Sequence, residues 1–218
     1  MKTPPPATEH TAPTDADVAA VAEQLGRVPR GLRAVAHRCP CGHPDVVETA
    51  PRLPDGTPFP TLYYLTCPRA ASAIGTLEAE GVMKEMTERL RTDPDLAAAY
   101  RAAHEDYLAR RDAVEVLAGF PSAGGMPDRV KCLHVLVGHA LAAGPGVNPL
   151  GDEALAMLPE WWRKGPCAQL TEGEVPGGEV PEGAGQPAQS QPAQSQPPQG
   201  RARAGQAPEG PASEGETR

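Results

Sequence analysis

Val35-Ala36-His37-Arg38-Cys39-Pro40-Cys41-Gly42-His43-Pro44-Asp45-Val46-Val47 carries valines at both ends of a run rich in Pro, Gly, Cys and His. β-branched residues favour extended backbone and Pro-Gly runs punctuate it, so this stretch reads as a hairpin with a broad tip. Leu62-Tyr63-Tyr64-Leu65 is aromatic and apolar, follows the turn Pro54-Asp55-Gly56, and runs directly into Cys67-Pro68. It supplies a third strand, and a small antiparallel sheet is the economical arrangement.

Helical spacing occupies most of the remaining chain. Thr14 or Asp15 caps a helix with Val18, Val21 and Leu25 on one side, and Gly26 stands where a helix ends. From Arg69 the apolar period is again helical, through Ile74 and Leu77, a break at Gly81, then Val82, Met86 and Leu90. Asp93-Pro94 opens the best-defined helix, which runs to about Leu117 with Leu96, Tyr100, His104, Tyr107, Arg111 and Val114 along one stripe. Another helix is expected from Pro127 to about Ala143, apolar on most of its circumference and therefore in the core. Asn148-Pro149 caps a last one, and Trp161-Trp162 closes the ordered region. The expected fold is α+β, a small antiparallel sheet of about three strands packed against four to six helices.

Composition bounds this further. Aromatic residues make up 4% of the 218, so Leu, Val, Ala and Met must provide most of the buried surface, which suits packed helices. Residues 1–13 are Pro/Thr-rich and read as a disordered arm. Residues 166–218 read as a disordered tail, whose part from residue 171 holds eight Pro, nine Gly and seven Gln and repeats Gln-Pro-Ala-Gln-Ser at 186 and 191. One globular domain over 14–165 remains, large enough to bury about 70% of its unfolded surface. The net charge is -8, with seven Glu and three Arg in residues 171–218, so the domain is acidic as well. Nucleic acid is not an expected partner, because no Lys/Arg cluster is available to displace counterions. No run of 18 apolar residues and no apolar leader occurs, so a cytoplasmic protein without membrane attachment is expected.

Five cysteines in a reducing compartment point to free thiols, metal ligands or reactive groups. Cys39 and Cys41 flank a proline at the hairpin tip, Cys67 follows the third strand, and Cys132 lies on the apolar helix. These four are expected to converge, as a zinc or iron-sulfur site or as small buried hydrophobes. Cys167, at the tail junction, is expected to stand apart. Cys132 and His134 are two residues apart, which on a regular helix puts them on different faces.

Other side chains compete for a functional role. His104 between Tyr100 and Tyr107 suits a hydrogen-bonded structural histidine, with proton relay or metal ligation as the alternative. His139 reads as an ordinary packed or partly solvated histidine. Arg129 and Lys131 near a helix start are the candidate anion site, since free N-terminal amides attract phosphate or carboxylate. The candidate catalytic groups are His104, His134 and Cys132. No phosphate-loop, nucleophile-elbow, zinc-protease or dinucleotide motif occurs.

Several segments taken together resemble a known family. They are Gln24-Leu25-Gly26-Arg27, Arg38-Cys39-Pro40-Cys41-Gly42, Gly56-Thr57-Pro58-Phe59-Pro60-Thr61, Leu77-Glu78-Ala79, Ala103-His104, Arg129-Val130-Lys131-Cys132-Leu133-His134 and Gly144-Pro145-Gly146-Val147-Asn148-Pro149-Leu150-Gly151-Asp152. Over about 15–155 the chain is similar to the actinobacterial domain-of-unknown-function family DUF 501. That resemblance implies no activity.

Two functions therefore stand side by side: a binding or regulatory module for a protein or small anionic ligand, and an enzyme acting on a phosphate- or carboxylate-bearing substrate. Because the tail offers the core no large apolar side chain, deleting residues 171–218 should leave the melting temperature within a degree or two. A differential scanning calorimetry trace shifted by many degrees would show that the tail docks on the domain.

Overall fold

The computed structural model describes residues 10–170. The tail beyond them and residues 1–9 of the arm lie outside the described part. Three strands form one antiparallel sheet in the order β1 (Leu32–Arg38), β2 (Pro44–Thr49), β3 (Tyr63–Leu65), with Val35 opposite Val47 and Val46 opposite Leu65. Six α-helices accompany it among the described residues: α1 (Asp15–Leu25), α2 (Pro68–Ala79), α3 (Val82–Thr92), α4 (Pro94–Val114), α5 (Leu133–Ala143) and α6 (Pro149–Met157). The fold is α+β, and no described helix is long and apolar enough to cross a membrane.

Local chemistry sets most boundaries. Thr14 caps α1 in a reciprocal box with Asp17, and Gly26 closes it at φ 64°, a left-handed conformation that glycine adopts without penalty. Asp93 and Asn148 cap α4 and α6 with their side chains, each followed by proline in the first turn. The stripe on α4 is real: Tyr100, His104, Tyr107 and Arg111 are all buried.

Two expectations about order are corrected. The described chain begins before Thr14, because Thr11 pairs with Val35 and His10 sits between Glu48 (2.8 Å) and the Ala142 carbonyl (3.2 Å). At the other end Cys167 and Ala168 are buried, so the domain extends past residue 165.

A third correction concerns α5, which starts at Leu133 and not at Pro127. The Lys131 and Cys132 amides both donate to the Gly124 carbonyl and the Arg129 amide to Gly125, which ties this stretch into a compact turn in place of a helical ladder.

The core forms where α5 covers the sheet. Tyr63 of β3 stacks on His139 of α5 with ring centroids 6.0 Å apart, and Tyr107 of α4 meets His139 edge-on at 5.3 Å. The Leu62 amide donates to the Tyr107 hydroxyl at 2.7 Å, fixing α4 to the strand entry. Helix α6 approaches α5 so closely that a Cβ at Gly151 would overlap the Leu136 carbonyl oxygen and lie 2.9 Å from the Ala140 Cβ. Gly151→Ala should therefore destabilise the domain by about 1–3 kcal/mol, read as a lower urea midpoint with an unchanged slope. An unchanged midpoint would mean that the two helices separate at little cost.

Candidate functional site

The hairpin tip is built by short hydrogen bonds. The Cys39 amide donates to the His43 carbonyl at 2.9 Å and the Gly42 amide to the Cys39 carbonyl at 2.8 Å, with Gly42 at φ 94° where a side chain would be strained. Arg38 grips Asp17 of α1 through both guanidinium nitrogens, at 2.6 and 2.9 Å, and this holds the Asp17 carboxyl far below the usual range. The tip is thereby locked against α1 next to Cys39.

Onto this tip three elements deliver thiols. The sulfurs of Cys39, Cys41 and Cys167 lie within 4.8 Å of one another, and Cys41 and Cys167 are 3.3 Å apart. Cys67, the N-cap residue of α2, stands next to Cys167, outside the group of three sulfurs that lie within 4.8 Å of one another. The hydrogen bond with Cys167, working against burial, draws the Cys67 thiol down to about 6. The Arg69 and Ala70 amides add to this by leaning toward the sulfur, although they close no cap hydrogen bond of ordinary geometry. Facing Cys67, Cys167 is pushed far up, and burial pushes Cys39 up to about 11. The tendency to ionise therefore falls on Cys67, the sulfur at the positive end of a helix, and on Cys41, whose thiol is drawn down against its burial by backbone hydrogen bonds at Cys167 and His43.

Its surroundings are polar and incompletely paired. The Gln24 amide nitrogen donates to Cys167 Sγ at 3.2 Å and to the Pro44 carbonyl at 2.7 Å. Asp45 is fully buried and reaches His37 Nδ1 at 2.7 Å through one oxygen. Its other oxygen and the Gln24 Oε1 have no partner among the described residues. Asp45 also acts electrostatically on both Cys39 and Cys67. A buried carboxylate beside several thiols is costly unless positive charge is near.

Two expectations about cysteines are corrected here. Cys167 does not stand apart; it is the contact between Cys41 and Cys67. Cys132 groups elsewhere: as the residue capping α5, with φ -153° and ψ 112°, it is extended and not helical. Its sulfur, a His134 ring nitrogen and a Glu78 carboxylate oxygen lie within 4.8 Å of one another. The argument that Cys132 and His134 face apart required both to lie on one helix, and α5 begins between them. The hydrogen bond with Cys132 and the nearby Glu78 raise His134 to about 9 despite its partial burial.

The remaining candidates separate from these groups. His104 is buried on α4, and its Nδ1 has no partner among the described residues, so it is not the hydrogen-bonded histidine expected; burial lowers its pKa. Arg129 and Lys131 are exposed on the compact turn ahead of α5. Their amides are spent on Gly125 and Gly124, which removes the helix-terminus basis for anion binding there. His139 is fully buried, with Nε2 2.8 Å from Asp106 and Nδ1 facing the Asn148 side chain at 3.3 Å.

The match to the family described as protein of unknown function (DUF501) spans residues 35–156, more than half of the chain. The chain belongs to that family. The DUF501 span takes in Cys39, Cys41, Cys67, Glu78, Cys132 and His134 and ends before Cys167. No curated protein and no solved structure matches the chain.

The Asp106–His139 pair makes a pH prediction. Burial alone would raise the Asp106 carboxyl, but hydrogen bonds from His139 and Arg110 outweigh it and hold it at about 2, below its ordinary 3.8. A depressed acid contributes stability above its unfolded pKa and loses it as pH falls through the folded one. Stability should therefore drop between about pH 4 and pH 2, and Asp106→Asn should flatten that limb in urea titrations across the range. An equally steep limb in the variant would assign the acid transition to other carboxylates.

Proposed function

We propose that this domain is a binding or regulatory module, for a partner protein or a small anionic ligand, with a zinc-class metal held by Cys39, Cys41, Cys67 and Cys167. The observation that carries the metal reading is the convergence of the Cys39, Cys41 and Cys167 sulfurs within 4.8 Å, with Cys67 beside Cys167 as the further thiol. In a zinc tetrathiolate, metal–sulfur bonds near 2.3 Å put sulfurs about 3.8 Å apart, so the three close sulfurs already approach one face of the tetrahedron and Cys67 would close it. The donated hydrogen bond from Gln24 to Cys167 is the kind of outer contact that orients a thiolate. The unpartnered buried Asp45 oxygen supports positive charge in the neighbourhood. A single ion suits sulfurs this close better than a multi-iron cluster, whose ligands spread over several metal centres.

Such a site would be closed, with every ligand a thiolate, and its role would be to hold the hairpin tip, the start of α2 and the segment around Cys167 together. The module reading is supported by where the other candidates fall: the anion candidates, the thiol tip and His104 do not surround one cavity. A second reading, an enzyme acting on a small anionic substrate, draws on Cys132, His134 and Glu78 standing together, with Lys84 on the wall of a groove that Glu78 also lines.

Metal and acid-labile sulfide analysis of the full chain purified without oxygen tests the first reading. Metal content that falls by about one equivalent in Cys41→Ser and in Cys167→Ser, without labile sulfide, is expected, together with a melting temperature lowered by chelation. Metal content that ignores both substitutions would leave the cysteines as packing.

A further inference from the structure

We infer that Glu78, Cys132 and His134 form a second metal site, which takes a zinc-class divalent cation through three protein ligands and leaves one coordination position open. The inference does not rest on the thiol cluster being metal-bound.

The donor atoms are already grouped. Cys132 Sγ, a His134 nitrogen and a Glu78 oxygen lie within 4.8 Å of one another, and His134 Nδ1 is 3.2 Å from Glu78 Oε1. Two donors bound at about 2.0–2.1 Å in a tetrahedron stand about 3.3 Å apart, so this edge already has the required length.

Each ligand is also held from behind. His134 Nε2 faces the Ala71 carbonyl at 3.2 Å, which accepts only from an N–H and so places a proton on Nε2. Nδ1 is then the nitrogen turned toward the carboxylate, where a bound cation would take the place of its proton. The Leu133 amide donates to Glu78 Oε1 at 2.7 Å and fixes that carboxylate at the start of α5. A ring N–H given to a backbone carbonyl and a carboxylate pinned by an amide are the outer contacts that orient metal ligands. A metal ion displacing that proton would be held by the imidazole nitrogen and the carboxylate together, and the nearby sulfur favours a borderline-soft metal there.

The donor set defines the class of ion. One thiolate, one imidazole and one carboxylate suit zinc, cobalt(II) or iron(II) and not magnesium or calcium, which prefer oxygen throughout. Three protein ligands with a free position is the arrangement of catalytic metal sites, in contrast to closed tetrathiolates. The free position has somewhere to open. Glu78 lines a groove of about 440 Å³ together with Met83, Lys84, Thr87 and Val130, and the His134 and Glu78 side chains are 33% and 23% exposed. Water or a small anionic ligand can reach the ion there.

The test is titration of the untagged, metal-stripped full chain with cobalt(II), followed by visible absorption. A stage of mixed sulfur, nitrogen and oxygen ligation is expected, and Cys132→Ser and His134→Gln should each remove one equivalent per chain. Glu78→Gln should weaken that stage about 10-fold or more. Cys41→Ser should leave it intact, so loss of the thiol cluster and loss of this site are read separately. If the thiol cluster takes no cobalt, the wild type binds one equivalent and Cys132→Ser none. Should a variant fail to fold, the wild type alone decides. Azide should shift the mixed-ligand band, and X-ray absorption should show nitrogen or oxygen beside sulfur. Cobalt binding unchanged by Cys132→Ser and His134→Gln, or cobalt in sulfur-only coordination throughout, overturns the site. A mixed band indifferent to azide overturns its open position.

Discussion

Gly138 lets helix α5 rest against the Tyr63 carbonyl of β3, where a Cβ would stand only 3.2 Å from that oxygen. With the helix this near the strand, His139 on the next position is driven between Tyr63 and Tyr107, where nothing polar but Asp106 and Asn148 can satisfy it. The same seating orients the helix start, so that Leu133 meets Glu78 and His134 meets Ala71. Core packing and the mixed-ligand group therefore share one cause. The axial position of α5 decides both.

The two side-chain clusters differ in the chemistry their donors allow. Four thiols with a glutamine and a buried aspartate around them offer an ion thiolate ligands only, so an ion bound there would register as added stability. Glu78, Cys132 and His134 mix charge types and sit half in solvent, which leaves room for an exchangeable ligand. One group closes upon itself while the other faces outward.

β-branched and aromatic residues between Pro/Gly-rich turns made the hairpin and the third strand legible, and helical periodicity did so for the α4 stripe, which buries one face against the core. The caps at Thr14, Asp93 and Asn148 were legible for the same local reason, each a short polar side chain ahead of a helical run. Helix α5 was misjudged at its start because Val130 continues the apolar pattern, whereas the Gly124 carbonyl captures the amides that a helix would need. That one error hid the convergence of Cys132 with His134. Cys167 was missed because it stands at the compositional edge, where long-range contact leaves no periodic trace. Glu78 carries no signal of its own in the sequence, because no spacing rule links an acid on α2 to a residue 55 positions away.

Cys41 and Cys167 touch across a sequence separation of 126 residues. During synthesis the hairpin tip, β3 and α2 emerge before that last thiol, so three sulfurs wait through the 100 residues from Cys67 to Cys167 for their fourth neighbour. The cluster is assembled only when the segment around Cys167 returns to the hairpin tip, after the six described α-helices have been made. Any ion captured there is recruited late in biogenesis, and a nascent chain truncated before Cys167 exposes an unfinished thiol tip to oxidants and to competing metals.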